Sequence, residues 1–251
     1  MSQLASFSAR IRFIFFSIIL LTTGTSNVLA VPNYRIKCST DLRHQVPSVH
    51  QHKLAGLLQR ITGFTNLSFT PGGVLNVDTD QYSQGSATAR DVIQQAISAD
   101  ATMEIQNHPR SESINFGQFE RVSVRRQDQP DIEYERWEIR LDFNDFAHME
   151  APPEVRESFN EGFVFLHEVL HGLGKNDTKQ IGEIGECEEV VNQMRRELGL
   201  VLRTQYRSER VSTRDVFLKQ RLQFKRLDSH DGTSLRKKFY LYFFPGLKTI
   251  P

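Results

Sequence analysis

Residues 154–173 read EVRESFNEGFVFLHEVLHGL, and this stretch decides the fold because it carries the strongest helical pattern in the chain. Apolar residues return along it every three or four positions, as they do on one face of an α-helix. They are Val155, Phe159, Phe163, Leu166, Leu170 and Leu173. Pro152 and Pro153 suit the first turn of a helix, and Gly172 and Gly174 are typical of a helix end. We therefore expect one continuous helix from about residue 154 to residue 173.

The second half of this helix contains His-Glu-Val-Leu-His at residues 167–171. Histidines four positions apart lie one turn apart on the same helix face, so His167 and His171 can bind one Zn²⁺ through imidazole nitrogens. Glu168 lies beside them and can accept a proton from a metal-bound water. The motif predicts a catalytic zinc site with Zn²⁺ as the cofactor. Two surface histidines on an amphipathic helix are the simpler alternative.

A catalytic zinc site needs a third protein ligand, and two places in the sequence offer it. The full string is His-Glu-x-x-His-x-x-Gly-x-x-Asp, which resembles the metzincin pattern. In that family the glycine bends the chain so that the residue three positions on returns to the metal, which implies Asp177 as the third ligand. The rival is a glutamate on the next helix, Glu189 or Glu186, which would resemble the gluzincins. Acidic residues also favour a helix N-terminus for electrostatic reasons alone.

Residues 192–206 read NQMRRELGLVLRTQY and give a second resemblance. They are similar to the segment that follows the metal motif in bacterial effector and polymorphic-toxin zinc peptidases, although Val201 stands where that group usually has Pro. Arg203 and Tyr206 also resemble the Arg-x-x-Tyr pair of clostridial neurotoxin light chains, which faces the substrate carbonyl. The resemblance implies catalytic roles for both residues. Asn192 is expected on the solvent side of its helix, and the alternative is that it orients one of the metal ligands.

The rest of the chain alternates helical and strand-like patterns. Helices are predicted over residues 47–62, 86–99 and 185–198, and strands over 101–107, 113–125 and 134–143, with two short strands within 66–78 and a C-terminal hairpin from 216–226 and 236–244 around a turn at 228–234. This order predicts an α+β fold of zincin type. A mixed or antiparallel sheet would pack on helices, with the motif helix at the centre.

The first 30 residues read as a secretory signal peptide, with a basic start, a short apolar run and small residues before a cleavage point near Ala30. The prediction is therefore an exported protein, periplasmic or secreted, without a transmembrane segment after cleavage. Residues 31–251 would form one catalytic domain, comprising an α/β part (31–150), the metal-site helices (151–206) and a basic hairpin (207–251). In an oxidising compartment Cys38 and Cys187 can form a disulfide, and free buried thiols are the alternative.

A net charge of +1 gives the whole molecule no strong field for recruiting nucleic acid. The sequence therefore predicts a zinc metalloendopeptidase that acts on a protein or peptide substrate, with Glu168 as general base. The alternative is a secreted binding or structural protein whose zinc site is degenerate or purely stabilising. Four protein ligands would favour that alternative, because closed structural zinc sites use four. The oligomeric state is not predicted.

Overall fold

The structure, a computed structural model, describes residues 36–111, 113–126, 129–180, 182–211, 219–226 and 237–243. The predicted signal peptide and the predicted turn at 228–234 lie outside these ranges. No helix within the described ranges has the length and apolar character needed to cross a bilayer.

The elements follow one another as an α+β chain, which confirms the α+β part of the predicted fold class. In chain order they are β1 (Ile36–Cys38), α1 (Ser48–Thr62), β2 (Leu67–Phe69), β3 (Leu75–Val77), α2 (Ala87–Ser98), β4 (Thr102–Asn107), β5 (Gly117–Arg126), β6 (Gln129–Leu141), α3 (Phe143–His148), α4 (Pro153–Ser158), α5 (Glu161–Gly172), α6 (Gly185–Glu197), β7 (Leu202–Arg203), β8 (Glu209–Val211), β9 (Lys219–Lys225) and β10 (Lys238–Phe243).

The main sheet is mixed and has the strand order β1-β4-β6-β5. Strands β1, β4 and β6 run parallel, whereas β5 pairs antiparallel with β6 and forms one edge. Side chains alternate between the two faces of each strand. In β4 all four side chains from residue 103 to residue 106 are buried. Met103 and Ile105 belong to the hydrophobic core, whereas Glu104 and Gln106 are polar. The core lies between this sheet and the helices, where α1, α2 and α5 contact one another.

Helix α5 is buried on all sides, since every residue from Glu161 to Leu170 is shielded from solvent. It contacts α1, α2 and α6, and it also contacts the edge strand β5. A helix without a solvent face can hold side chains rigidly. The main sheet and three helices therefore fix the element that carries the metal motif.

The prediction of one continuous helix over 154–173 was wrong, because the chain forms two helices there. Phe159 between them is extended, with φ −135° and ψ 97°. The Asn160 side chain then accepts hydrogen bonds from the backbone N–H groups of Gly162 at 3.0 Å and Phe163 at 3.3 Å, which begins α5 anew. The spacing of apolar residues continues unchanged across this break. The periodicity alone therefore could not reveal that a second helix begins at Asn160.

The C-terminal hairpin is confirmed, since β9 and β10 pair antiparallel from Lys225–Lys238 to Gln220–Phe243. Strands β7 and β8 also pair with β9 and complete a small second sheet that the sequence did not predict. The β7 pairing fixes the segment that follows α6. Residues 203–206 are thereby held close to the motif helix.

Of the two alternatives for the cysteines, the structure shows free thiols, because Cys38 and Cys187 are both unpaired and buried. Cys38 lies in β1 and Cys187 lies in α6. Burial raises the pKa of the Cys38 thiol to about 12, so it stays protonated and packs as a small apolar group.

Candidate metal centre

The two histidines of α5 converge on one carboxylate. His167 Nε2 lies 3.1 Å from Asp177 Oδ1, and His171 Nε2 lies 3.1 Å from Asp177 Oδ2. His167 is buried, and His171 and Asp177 are half-buried. The structure therefore brings together the three residues that the sequence predicted as metal ligands.

Two glycines allow the chain to return Asp177 to the histidines. At Gly172 a side chain would meet the Trp137 ring of β6, where an added Cβ would lie 2.4 Å from a ring carbon. Gly174 has φ +87°, a left-handed conformation that side chains disfavour. The Lys175 N–H donates a 2.9 Å hydrogen bond to the Leu170 carbonyl and closes the helix end. The glycine turn predicted from the motif is present.

The remaining ring nitrogens have partners that orient both imidazoles. His171 Nδ1 lies 3.1 Å from the Lys175 carbonyl oxygen, and His167 Nδ1 lies 3.5 Å from Glu188 Oε2. When Nδ1 donates a proton to such an acceptor, the lone pair of Nε2 is available for a metal. Both Nε2 atoms face the Asp177 carboxylate, and a proton held at Nδ1 would leave their lone pairs available for a metal ion.

Two buried polar atoms at this point lack a hydrogen bond. Among the residues that the structure describes, His167 Nε2 and Asp177 Oδ1 have no hydrogen-bond partner, although the two atoms lie 3.1 Å apart. Buried polar groups in proteins are nearly always satisfied. A cation between the two atoms would satisfy both, so the residues present fit a divalent metal.

The electrostatics of the site also favour a cation. Burial alone would lower the pKa of His167, but the Asp177 and Glu188 carboxylates outweigh it and raise that pKa to about 9. Burial alone would raise the pKa of Asp177, but the two histidines hold it well below its usual range. Neighbours that stabilise a protonated imidazole also stabilise a metal cation at the same atoms.

Cys187 is a fourth member of this cluster. One ligand atom from each of His167, His171, Asp177 and Cys187 lies within 4.8 Å of the others, and such a group can hold a metal ion. Its Sγ lies 3.6 Å from His171 Nδ1 but 4.0 Å from His171 Nε2. The sulfur therefore flanks the ring and does not stand in front of Nε2, where a metal would bind. No spacing rule in the sequence connects Cys187 with the motif.

The alternative third ligands, Glu186 and Glu189, are exposed and do not join the cluster. Glu186 accepts a 3.1 Å hydrogen bond from the Asn176 N–H and so anchors the loop that carries Asp177. The face of α6 that meets α5 instead presents Glu188, which is 1% exposed and lies beside His167. Neither alternative glutamate faces the two histidines, because the docking of α6 turns Glu188 inward and leaves Glu186 and Glu189 exposed.

Glu188 is the centre of a buried ion cluster. It pairs with the Arg195 guanidinium, and its Oε2 accepts a 2.9 Å bond from Arg203 Nη1. Burial alone would raise the pKa of Glu188, but the two guanidiniums outweigh it and hold the pKa well below its usual range. Glu188 therefore stays ionised and can fix the orientation of the His167 ring.

Asn192 is buried, so its predicted place on the solvent side of the helix was wrong. Its side chain receives a 3.0 Å bond from the Arg203 N–H and donates a 2.8 Å bond to the Arg203 carbonyl. It also accepts a 2.8 Å bond from Arg195 Nη1. Asn192 thus holds the strand after α6 in register with the ion cluster.

Arg203 and Tyr206 have different positions relative to the site. The Tyr206 ring stacks on the His167 ring at a centroid distance of 5.7 Å with 6° between planes, and burial together with the nearby Asp177 carboxylate raises the pKa of its hydroxyl. Arg203 instead bonds Glu188 and the Gln205 and Tyr206 carbonyls. Tyr206 therefore contacts the metal-ligand group directly, whereas Arg203 supports it through Glu188.

Glu168 faces a cavity next to the histidines. The cavity has a volume of about 440 Å³, and its lining includes Glu168, His167 and Tyr206. Burial raises the pKa of Glu168 above the usual carboxyl value, although the two histidines oppose the shift. The edge strand β5 passes close to this side chain at Gly117. A Cβ added at Gly117 would lie 3.0 Å from Glu168 Oε1, so the position leaves little room for a side chain. A carboxylate with a raised pKa beside an open cavity has the properties of a general base.

No protein-family model matches this chain, and comparisons with curated proteins and with solved structures likewise give no match.

Proposed function

We propose that this chain is an exported zinc metalloendopeptidase with a zincin-like catalytic domain. The observation that carries the proposal is the meeting of His167 Nε2, His171 Nε2 and the Asp177 carboxylate, with 3.1 Å contacts, beside a cavity that contains Glu168. Three protein ligands with an open side are typical of catalytic zinc sites. Export is supported by the signal-like pattern of residues 1–30.

His167, His171 and Asp177 would hold the metal. A Zn²⁺ ion held there would supply a Lewis acid that can activate water and polarise a peptide carbonyl. Glu168 accepts the proton of the attacking water and returns it to the leaving amine, which its buried position and raised pKa favour. Tyr206 stacks on His167 and lies in the wall of the same cavity, where its hydroxyl can donate to the substrate carbonyl.

Cys187 supports a second candidate function, a binding or structural protein with a stabilising zinc site. A rotation of its side chain toward His171 Nε2 would supply a fourth protein ligand and close the site. The present position of Sγ, nearer to His171 Nδ1 than to Nε2, favours the open site. The cavity on the Glu168 side favours it as well, because a closed structural site needs no substrate space.

The deciding experiment measures zinc content and hydrolysis of unfolded casein for the purified protein and for Glu168→Gln. We expect one equivalent of zinc in both proteins, and hydrolysis lower by about 10²–10⁴-fold in the variant, because only the proton transfer is lost. Glu189→Gln, which changes an exposed glutamate on α6, is the matched control and should keep full activity.

Three further outcomes test the third ligand, the general base and the alternative structural site. Asp177→Asn should lose most of its zinc, because the ligand carboxylate is gone. Hydrolysis that survives in Glu168→Gln would refute Glu168 as the base. Zinc without hydrolysis, together with a thiolate absorption band in the Co²⁺-substituted protein that Cys187→Ser removes, would establish the closed structural site instead.

A further inference from the structure

The cavity beside Glu168 has polar groups and one aromatic wall. Phe116, Phe159 and Phe243 line it, and the Phe116 ring meets the other two edge-on at centroid distances of 4.9 and 5.1 Å. Phe116 has φ +67°, a left-handed conformation that a bulky side chain rarely adopts. Its N–H donates a 3.0 Å bond to Asp145 Oδ2, and its carbonyl accepts one from the Asp142 N–H. Surrounding contacts thus hold a strained backbone that presents an aromatic ring to the cavity.

The same cavity is lined by the buried ion cluster. Arg195 and Arg203 both lie in its wall together with Glu188. The exposed fraction is 1% for Arg195 and 9% for Arg203, and Glu188 brings one negative charge against two positive ones. The carbonyls of Ser158, Gln205 and Tyr206 and the Asn192 side-chain oxygen accept further guanidinium bonds, but these neutral groups bring no charge. The cluster therefore keeps an excess of positive charge next to the aromatic wall.

A bound metal ion would add to this excess of positive charge. A divalent cation and two guanidiniums carry four positive charges, against three carboxylates from Asp177, Glu168 and Glu188. Arg207 adds a further positive charge at the lining of the cavity, where its side chain is exposed. Charges interact more strongly beside an apolar wall than in water. An uncompensated cation in such a place favours an anionic ligand.

We propose that this cavity binds a carboxylate of the peptide substrate, from an acidic side chain or from the chain terminus, against Arg195, Arg203 and Arg207. The inference rests on the proposed function and names the substrate class of the same site. The aromatic wall packs against the methylene groups of the substrate, and the guanidiniums balance its charge. The aromatic wall alone would also admit a neutral aromatic side chain, but that occupant would leave the positive excess without a counterion.

Binding of zinc-chelating peptides tests this proposal without requiring turnover. The probes are hydroxamate-capped dipeptides of the form hydroxamate–X–Ala, with X as Glu, Gln or Phe, each ending in a free acid or an amide. Their affinities for the zinc-loaded protein are measured by calorimetry at low salt. We expect an acid to bind roughly 10-fold or more tightly than its isosteric amide, either at X or at the terminus, because a charge-assisted bond is lost. The position of the effect identifies which carboxylate the cavity takes.

Arg207→Gln should reduce the acid-to-amide ratio several-fold. Arg210→Gln is the matched control, since Arg210 is exposed in β8 and does not line the cavity, and it should leave the ratio unchanged. A ratio near one at both positions, tightest binding by the Phe probe, or equal effects of the two Arg variants would overturn the proposal. If no probe binds and the protein takes up no zinc, the metal centre itself is refuted and the carboxylate site with it.

Discussion

At the scale of single residues, Glu188 links the buried arginines to the histidine of the candidate metal centre. One oxygen pairs with Arg195, and the other lies 2.9 Å from Arg203 and 3.5 Å from His167 Nδ1. A carboxylate behind a histidine fixes the ring orientation and increases its strength as a metal ligand. The same carboxylate is the counter-charge that allows two guanidiniums to be buried. Stability and metal affinity are therefore coupled through one side chain.

We predict that Glu188→Gln lowers the free energy of unfolding by about 3–5 kcal/mol, because two buried guanidiniums lose their counter-charge. Zinc affinity should fall by about 10–100-fold, since His167 loses its orienting carboxylate. Urea unfolding of the zinc-free protein and zinc titration against a competing chelator measure the two effects. Glu189 is exposed on the same helix, so Glu189→Gln should change neither the free energy of unfolding nor the zinc affinity. Equal behaviour of the two variants would contradict this role of Glu188.

At the scale of elements, α6 connects the metal centre to the rest of the helical layer. Its first turns present Cys187 and Glu188 to α5, and its last residue, Glu197, reaches the beginning of α2. Glu197 accepts bonds from Ser86 Oγ at 2.6 Å, from the Thr88 N–H at 3.1 Å and from Thr88 Oγ1 at 2.6 Å. A carboxylate is favourable at a helix N-terminus, where free N–H groups point outward. The two ends of α6 are thus fixed by polar contacts to different helices.

The Glu197 contacts predict a pH dependence of stability. Burial opposes ionisation, but the bonds from Ser86 and Thr88 together outweigh it and lower the pKa of Glu197 from 4.5 to about 2. Since the folded pKa is depressed, the stabilisation is fully present above pH 4.5 and is lost as the pH falls through about 2. Glu197→Gln should therefore cost about 1 kcal/mol or less at neutral pH, as for a helix cap on the protein surface.

Urea unfolding at pH 7 and at pH 3 measures this dependence for the wild type and Glu197→Gln, both without zinc. The difference between the two proteins should be smaller at pH 3. Glu189→Gln again serves as the control and should show no difference from the wild type at either pH. A difference that is unchanged at pH 3 would mean that the charge of Glu197 is not what stabilises the contact.

At the scale of the whole molecule, the metal centre joins segments that are distant in the sequence. His167 and His171 come from α5, Asp177 from the loop that follows, Cys187 from α6, and Tyr206 from the chain beyond β7. The edge strand β5 closes the other side through Gly117. A bound metal would therefore stabilise the contacts between several elements at once, and its binding free energy would add to that of folding.

Removing the metal should lower the melting temperature. A ligand at 100 times its dissociation constant stabilises the folded state by about 2.7 kcal/mol. For a protein of this size, each kcal/mol shifts the melting temperature by about 2–4 °C, so excess chelator should lower it by about 5–10 °C and added zinc should restore it. Calorimetric scans of the wild type and of His171→Ala test this expectation. A shift of the same size in His171→Ala would show that the zinc acts elsewhere.

The sequence by itself determined the features that depend on residues close together along the chain. The spacing of His167 and His171 places both on one helix face, and Gly174 allows the turn that returns Asp177 to them. Helix and strand positions followed from the period of apolar residues, as for α1, α2, α6 and the C-terminal hairpin. Local geometry is sufficient for these features, because the partners are separated by at most a few turns of chain.

Only the tertiary structure decided which residues complete the site. Glu188, rather than Glu186 or Glu189, meets His167 because the docking angle of α6 on α5 selects one face of the helix. Cys187 beside His171 and the buried Asn192 follow from the same docking. The approach of Tyr206 depends on the pairing of β7 with β9, some twenty residues further along the chain. Contacts of this kind are set by packing between distant segments, and no periodicity within one segment encodes them.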